Sequence, residues 1–378
     1  MTTPNKRPLL RPFFLILILS GLLLTACGTR VDSQNWPGLS TDGEVLYLAN
    51  GPQVTAYDVE TRAPVWQYPA ADAVNAALLF YAAPSVSGEQ VVFGDYGRPG
   101  GFFNPNVTVS VYSRGDVEWT NEEVASDKIV APPLQVGNTI YVGTADNKVF
   151  ALDAQSGQEL WAFEAGHSIW GQPAYDDGKL YVTSLDRSLH ALNAETGEEL
   201  WNTVFEGAIA SQPVLNDSSV FVSEFGSQVH ALNLTNGDIR WSAPAQNWVW
   251  GAPAYADGTV YYADIDGNLF AVDADSGTQK WQALAAGAVQ TSPVVMGDIV
   301  YVASEGESSD IPAGALTAFS ATDGQQLWRQ LTPAPLFTTP VIVDNAIVVA
   351  LSSESAVLSA FDRQSGAPLW TIAPPVQG

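Results

Sequence analysis

Cysteine is almost absent from this 378-residue sequence, which contains only Cys27. A single cysteine excludes an intrachain disulfide, and it leaves no thiol pair for redox chemistry or a cysteine-rich zinc site. Histidine is also scarce, with three residues in the chain. The fold must therefore be stabilised by packing, and few side chains remain for metal binding or acid–base chemistry.

Positively charged residues are also scarce: the chain has 15 Lys and Arg residues and 40 Asp and Glu residues, which gives a net charge of −25. Such a surface repels phosphate backbones and anionic lipid headgroups. We therefore expect no nucleic-acid partner. High net charge also keeps an exported protein soluble, which is the simpler reason for the acidity.

A hydrophobic run long enough to span a membrane is lacking as well. The apolar segment from Phe13 to Leu24 is about 12 residues long, whereas a spanning helix needs about 20. It follows three basic residues and ends in Leu24-Thr-Ala-Cys27, which resembles the lipobox of bacterial lipoproteins. We predict a signal peptide over 1–26, a lipid anchor on Cys27 and a tether over 27–35; the alternative is a plain secretory signal.

Tryptophan, in contrast, is abundant and periodic. Eight of the 12 tryptophans end a recurring motif of Ala, a hydrophobic residue, Asp or Asn, a short turn that often contains Gly, and Trp, as in ALDAQSGQELW (151–161) and ALNAETGEELW (191–201). The copy AYDVETRAPVW (56–66) lacks the glycine, and VYSRGDVEW (111–119) is shortened. The motif tryptophans are Trp66, Trp119, Trp161, Trp201, Trp241, Trp281, Trp328 and Trp370.

The motif predicts a tight β-hairpin. Asp or Asn accepts hydrogen bonds from the following backbone, glycine supplies the positive φ, and tryptophan begins the next strand with a large apolar face. Around it, each unit of about 40 residues contains four short strand patterns, for example Lys179–Thr183 and Ser188–Leu192. We predict an all-β protein in which residues 36–378 form an eight-bladed β-propeller of four-stranded antiparallel blades with tryptophan-docking motifs.

These repeats resemble the PQQ-type β-propeller repeat family. Within that family, an anchored single propeller is most similar to the lipoproteins that assist barrel assembly at the bacterial outer membrane. The resemblance implies a non-catalytic scaffold that binds protein partners in the cell envelope. It also implies an outer membrane location facing the periplasm if the cell has two membranes, and otherwise the outer face of the cell membrane.

An enzyme is the less favoured interpretation. Quinoprotein dehydrogenases share the blade motif. The resemblance to them implies a quinone held by a pair of cysteines and a calcium ion, but this sequence has no cysteine pair. His190 and His230 fill the repeat position of Phe150 and Phe270, which predicts core rings, so only His167 is free of a structural position. We expect no catalytic residues, no cofactor and no metal.

One segment has a calcium-loop pattern, Asp264-Ile-Asp-Gly-Asn268, with oxygen-bearing side chains at alternate positions. Neighbouring repeats have Asp146-Asn147 and Asp186-Arg187 at this place, which are ordinary hairpin turns. A turn is therefore the expected structure, with calcium as the alternative.

Loop insertions fall on one predicted face, since the turn between the second and third strands of a blade lies beside the connection between blades. The inserted segments are 94–106 and 304–314. Three residues before each first-strand proline, large aromatic residues occupy every even blade and smaller residues every odd one: Gln34, Tyr81, Val130, Trp170, Ala210, Trp250, Gln290 and Phe337.

We expect these side chains to meet at the mouth of the central channel. Alternating sizes could only fill a narrow mouth, or Tyr81, Trp170, Trp250 and Phe337 could form a rim that binds a partner. A protein partner on the loop-rich face is the first functional hypothesis. Carbohydrate or small-ligand binding at the rim is the alternative, and a PQQ-dependent dehydrogenase is the third.

Overall fold

The computed structural model describes residues 36–70, 79–96, 107–113, 116–306, 313–353 and 355–374. The chain divides into two units, Met1–Asn35 and Trp36–Gly378. The predicted signal peptide, Cys27 and the tether lie outside the described residues, as do most of the two inserted segments. Within the described ranges, no helix has the length and apolar character needed to cross a membrane.

The described residues form eight four-stranded antiparallel sheets, each built from four strands consecutive in the chain. Sheets 1 to 4 contain β1 (Gly38–Thr41), β2 (Val45–Asn50), β3 (Gln53–Asp58), β4 (Pro64–Tyr68); β5 (Ser85–Ser87), β6 (Gln90–Gly94), β7 (Val107–Ser113), β8 (Asp116–Ala125); β9 (Leu134–Val136), β10 (Thr139–Gly143), β11 (Lys148–Asp153), β12 (Glu159–Glu164); β13 (Ala174–Asp176), β14 (Lys179–Thr183), β15 (Ser188–Asn193) and β16 (Glu199–Val204).

Sheets 5 to 8 continue the same order. They contain β17 (Val214–Leu215), β18 (Ser219–Glu224), β19 (Gln228–Asn233), β20 (Ile239–Pro244); β21 (Ala254–Ala256), β22 (Thr259–Ala263), β23 (Asn268–Asp273), β24 (Gln279–Leu284); β25 (Val294–Met296), β26 (Ile299–Ser304), β27 (Gly314–Ser320), β28 (Gln326–Thr332); β29 (Val341–Val343), β30 (Ala346–Ala350), β31 (Leu358–Asp362) and β32 (Pro368–Ile372). The predicted all-β architecture of four-stranded antiparallel blades is confirmed.

The core lies between sheets. Eight clusters of buried hydrophobic residues occupy the interfaces between neighbouring sheets, one for each pair. One of them joins Leu46 and Leu48 of sheet 1 to Val348 and Leu358 of sheet 8. The first and last sheets therefore pack together directly, although they share no strand.

The motif hairpin has the predicted turn chemistry. In sheet 3, Asp153 accepts hydrogen bonds at its Oδ1 from the backbone N–H of Ser156 at 2.8 Å and from the Ser156 hydroxyl at 2.8 Å. These hydrogen bonds lower the pKa of Asp153, because they favour its charged form. Gly157 follows with φ of +70°. The turn therefore uses both residue types for the reasons inferred from the sequence.

The alanine of the motif has its own role, which the register reveals. Ala151 lies directly opposite Trp161 across the β11–β12 pair, and a bulge follows at Leu152. Ala191 and Trp201 are paired in the same way in sheet 4. In these two sheets a fully buried methyl group opposite the indole leaves room for the large ring between two sheets.

Each indole also reaches the next sheet. Trp161 Nε1 donates to the carbonyl of Ala194, at 3.1 Å, and the Tyr141 hydroxyl donates to the same oxygen at 3.0 Å. The six-membered ring of the Trp161 indole covers Gly197, where a Cβ atom would lie 2.6 Å from Trp161 Cε3. The glycine therefore combines a positive φ with close approach of the neighbouring tryptophan.

Candidate functional site

Seven of the eight residues predicted to face the channel mouth are described, and all seven line one cavity of about 780 Å³: Tyr81, Val130, Trp170, Ala210, Trp250, Gln290 and Phe337. The eighth, Gln34, lies outside the described residues. Trp36, at the start of sheet 1, lines the same cavity. The short connections that enter each inner strand therefore bring these side chains together from all eight sheets.

Aromatic side chains outside the rim pack against two of its rings, Trp250 and Tyr81. The Trp250 ring lies 4.9 Å from that of Phe225, and the Tyr81 ring meets Tyr96 edge-on at 4.7 Å. The Lys128 ammonium group lies over Tyr96, 4.7 Å from its centre. Such contacts add to the area buried and restrict the rings. The rim is therefore a preorganised surface.

The polar groups of the cavity are neutral. Its lining contains amide side chains from Gln172, Gln212 and Gln290, together with serine and threonine hydroxyls. Among the described residues of this lining there is no Asp, Glu, Lys, Arg or His, although charged residues make up 15% of the chain. The cavity can therefore supply hydrogen bonds and aromatic faces, and it offers no charge to an ionic ligand.

Hydrogen bonds place the turn between the second and third strands beside the connection that enters the same sheet, as predicted. In sheet 4, Asp186 Oδ2 accepts from the N–H of Gly166 at 2.8 Å. In sheet 5, Glu224 Oε2 accepts from the N–H of Gly207 at 2.5 Å. This face, on which the connections and these turns meet, is named the loop-rich face below.

An exposed tryptophan on the loop-rich face, stacked on a partly buried phenylalanine, was missed in the sequence. Trp248 lies in the connection into sheet 6 and is 50% exposed. Its ring stacks on that of Phe225, 5.7 Å away, and Phe225 also contacts Trp250 of the rim. Trp248 and Trp36 are the two tryptophans that belong neither to the motif nor to the rim residues. Their departure from the repeat was the sequence feature that could have identified Trp248.

The histidines at the repeat position are buried, and each also has an acidic neighbour that the sequence analysis did not foresee. His190 Nδ1 lies 2.7 Å from Glu199 Oε1, and its Nε2 lies 3.2 Å from Asp186 Oδ2. His230 Nε2 lies 3.4 Å from Glu224 Oε1.

Burial alone would lower the pKa of His190, but the hydrogen bonds and charges of Asp186 and Glu199 outweigh it and raise that pKa. Burial would likewise raise the pKa of Asp186, yet the hydrogen bonds from His190 and Gly166 hold it well below its usual range. This arrangement, named the clamp below, links His190 to both carboxylates, whereas His167 is exposed.

The segment with the calcium-loop pattern forms a turn around a buried carboxylate. Asp264 is fully buried, and it accepts hydrogen bonds from the backbone N–H groups of Gln246, Asn247, Asp266 and Asn268 and from the Asn268 side chain. Among the described residues, no cluster of acidic, histidine or cysteine side chains is arranged to hold a metal ion. Asp264 therefore joins the connection to the turn.

Pyrroloquinoline quinone, the cofactor implied by the family's repeat name, does not fit the cavity. The quinone carries carboxylate groups, and the lining residues that the structure describes provide neither a cation nor an acidic metal ligand to balance them. The only cysteine in the chain is Cys27, so no cysteine pair can cover a quinone plane.

Comparison with curated proteins gives a match over a short part of the chain. One short segment, 56 residues long, is 39% identical to the quinoprotein glucose dehydrogenase of Escherichia coli (strain K12), covering 14% of this chain and 7% of that enzyme. The chain thus spans less than a tenth of the length of this curated relative.

Solved structures match over far more of the fold. BamB from Moraxella catarrhalis is similar with a TM-score of 0.62 and 21% identity, covering 78% of this chain and 88% of that chain. The computationally designed Ika8 protein matches with a TM-score of 0.69, 16% identity and coverage of 90% and 97%. The C-terminal WD40 domain of Sif2 matches with a TM-score of 0.66, 14% identity and coverage of 84% and 94%. At these identities the structures show the propeller fold.

Membership of a family comes from the sequence. The family model described as outer membrane protein assembly factor BamB matches residues 26–168, 151–247 and 205–371, which together span the described propeller almost completely. The chain therefore belongs to the outer membrane protein assembly factor BamB family of PQQ-type β-propellers.

Proposed function

We propose that the protein is a non-catalytic, lipid-anchored propeller that holds a protein partner on its loop-rich face during the assembly of outer-membrane proteins. The observation that carries this proposal is the half-exposed Trp248, which stacks on Phe225 on that face. Exposed tryptophans on rigid supports are frequent hot spots of protein interfaces.

Several features make this face suitable for docking. The connections are tied to the turns beside them by buried acceptors such as Asp264 and Glu224. These described connections are therefore fixed before a partner arrives, which lowers the entropic cost of binding. The family description names outer membrane protein assembly, and that is the process we propose for this chain.

The scaffold, in this proposal, is a closed ring of eight blades with one docked tryptophan for each. Indole hydrogen bonds to the next sheet support it for Trp119, Trp161, Trp241, Trp281 and Trp328. The packing of sheet 1 on sheet 8 supports closure. A closed ring fixes the spacing of the loops that form the docking face.

The proposed anchor is a lipid on Cys27, after removal of residues 1–26. In a cell with two membranes it would hold the propeller at the outer membrane, facing the periplasm, and otherwise at the outer face of the cell membrane. Metabolic labelling with an alkyne fatty acid should label the wild-type protein and not Cys27→Ala. Equal labelling of both proteins would refute the anchor.

The proposal includes the absence of catalysis and of a cofactor. A dye-linked oxidation assay with added pyrroloquinoline quinone, calcium and glucose should give no turnover above a protein-free control. Turnover that depends on the protein would overturn this part of the proposal.

The docking proposal is tested by crosslinking and affinity purification of the full chain from cells that assemble outer-membrane barrels. Barrel-assembly proteins should be recovered with the wild type and lost with Trp248→Ala. The matched control is Leu327→Ala, because Leu327 is also 50% exposed but is the second residue of the outer strand β28, away from the loop-rich face. Equal recovery with Trp248→Ala and the wild type would reject the proposed surface.

A further inference from the structure

The described residues that line the cavity at the channel mouth are uncharged, which disfavours a charged ligand. Its volume, about 780 Å³, lies in the range of sites for small ligands. The chain has a net charge of −25, yet every polar side chain that the structure describes in this lining is neutral at pH 7. An ionic group held against this lining would lose part of its hydration without gaining a counter-charge from the described lining residues, which is unfavourable.

Aromatic faces surround this neutral space. Tyr81, Trp170, Trp250 and Phe337 enter it from alternate sheets, and Trp36 packs edge-on against Phe337 with 6.4 Å between ring centres. The face of an aromatic ring carries partial negative charge and attracts weakly positive C–H groups. Such rings therefore suit a ligand that has C–H faces as well as hydroxyl edges.

Amide groups between the rings are oriented to accept and donate. The Gln172 side-chain N–H donates to the carbonyl of Pro133 at 2.6 Å, and that of Gln290 donates to Glu305 Oε1 at 2.6 Å. These bonds fix the two amides and leave their carbonyl oxygens for a ligand. Gln212 is exposed and forms no hydrogen bond within the described part of the chain.

We propose that this cavity binds a neutral oligosaccharide, held by stacking on Trp250 and Trp170 and by hydrogen bonds to Gln172, Gln212 and Gln290. The combination of flat rings, amides and hydroxyls without charge matches sugar rings, which have C–H faces and hydroxyl edges. This inference is independent of protein docking at Trp248.

A peptide added as a strand fits the cavity less well. The innermost strands that border the channel are two to four residues long, as in Val214–Leu215 and Ser85–Ser87. Strand addition draws its affinity from a row of main-chain hydrogen bonds, and so short an edge provides few. The neutral side chains of the lining therefore dominate recognition.

The test is isothermal titration calorimetry of the purified full chain with chitotriose, cellotriose and maltotriose, and with a capped neutral pentapeptide of Ser, Thr, Gln, Ala and Gly. At least one trisaccharide should bind with a dissociation constant below about 1 mM, which is weak but specific. The pentapeptide should give no heat of binding. Failure of all three sugars at 10-fold higher concentration, or tighter binding of the pentapeptide, would overturn the proposal.

Variants then locate the bound sugar. Trp250→Ala should weaken binding at least about 10-fold, and Trp250→Phe should retain most of the affinity, because it keeps an aromatic face. Gln212→Ala changes an exposed side chain that the fold does not need, so it reports on the cavity even if Trp250→Ala is unstable. Leu327→Ala is the control that should bind as the wild type does. Unchanged affinity in both Trp250→Ala and Gln212→Ala would contradict the assigned site.

Discussion

Arg62 of the first motif lies over the indole of Trp370 from the last, with its guanidinium carbon 5.8 Å from the ring centre. Arg62 occupies the position of the motif glycine and has φ of +63°, in the same left-handed region as those glycines. The one motif copy of full length without glycine therefore receives the tryptophan of the opposite chain end through a cation–π contact. This contact joins sheets 1 and 8, which share no strand.

The motif glycines should be intolerant of a side chain for two separable reasons. Gly197→Ala would place a Cβ atom 2.6 Å from Trp161 at φ of +74°, whereas Gly178→Ala has φ of +78° and open space around the Cβ. Gly178→Ala should cost about 1–2 kcal/mol for the backbone conformation alone. Gly197→Ala should cost about 1–3 kcal/mol more, because the indole must move.

Urea unfolding of the two glycine variants measures this difference. Equal losses of unfolding free energy would show that Trp161 does not press on the hairpin of the next sheet. The comparison is controlled internally, since the two substitutions and the two φ values are nearly the same.

Two motif tryptophans should respond differently to phenylalanine. Trp161 Nε1 donates to the Ala194 carbonyl, whereas the Trp201 Nε1 is buried without an acceptor in the described structure. Trp161→Phe loses a hydrogen bond, and Trp201→Phe removes an unpaired donor. Trp161→Phe should therefore be the more destabilising by about 1 kcal/mol. Thermal unfolding checks the order, and a larger loss for Trp201→Phe would contradict it.

The clamp around His190 predicts a pH dependence of stability. The raised pKa of His190 gives stabilisation that is fully present below its unfolded value of about 6.5 and is lost as the pH rises through the folded value. The lowered pKa of Asp186 gives stabilisation that is present above its unfolded value of about 3.9 and is lost as the pH falls. The clamp should therefore stabilise most between about pH 4 and 6.5.

His190→Phe tests this dependence, because Phe150 and Phe270 fill the same position in sheets 3 and 6. We expect the melting temperature of the wild type to decline above about pH 6.5, and the variant should lose this decline. His167→Gln, which changes an exposed histidine, should keep the wild-type profile. A decline in His190→Phe as steep as in the wild type would refute the clamp.

The buried carboxylate of Asp264 should matter for stability independently of calcium. Asp264→Asn loses acceptor capacity that backbone N–H groups use, and it should cost about 1–3 kcal/mol. Asp266→Asn, at an exposed position two residues later, should change stability by less than about 0.5 kcal/mol. Millimolar calcium or EDTA should leave the melting temperature of the wild type unchanged. A rise with calcium that Asp264→Asn abolishes would restore the metal hypothesis.

Much of the fold could be predicted because each repeat contains the turn residues that form its own hairpin. The strand Lys179–Thr183 begins and ends where the turn residues around it required. Tyrosine in the second strand carried no such local signal. Tyr141 acts by donating to Ala194, which is 53 residues away in the chain, so its role depends on how sheets stack.

The site divides in the same way. Repetition identified the residues that converge on the cavity, since equal positions in stacked units must lie at equal depth. Trp248 lies in the connection into sheet 6, and the other connections have no tryptophan at the equivalent position. Phe225, on which it stacks, belongs to another sheet. Pairing His190 with Glu199 likewise required the register of β15 and β16.

The most direct test of the docking claim is site-specific photo-crosslinking in living cells that assemble outer-membrane barrels. A photoreactive amino acid at position 248 should crosslink to a barrel-assembly protein, and the same group at position 327 should not. The two positions have equal exposure and differ in the face they occupy. Crosslinks from position 327 to such a protein, with none from position 248, would contradict the account.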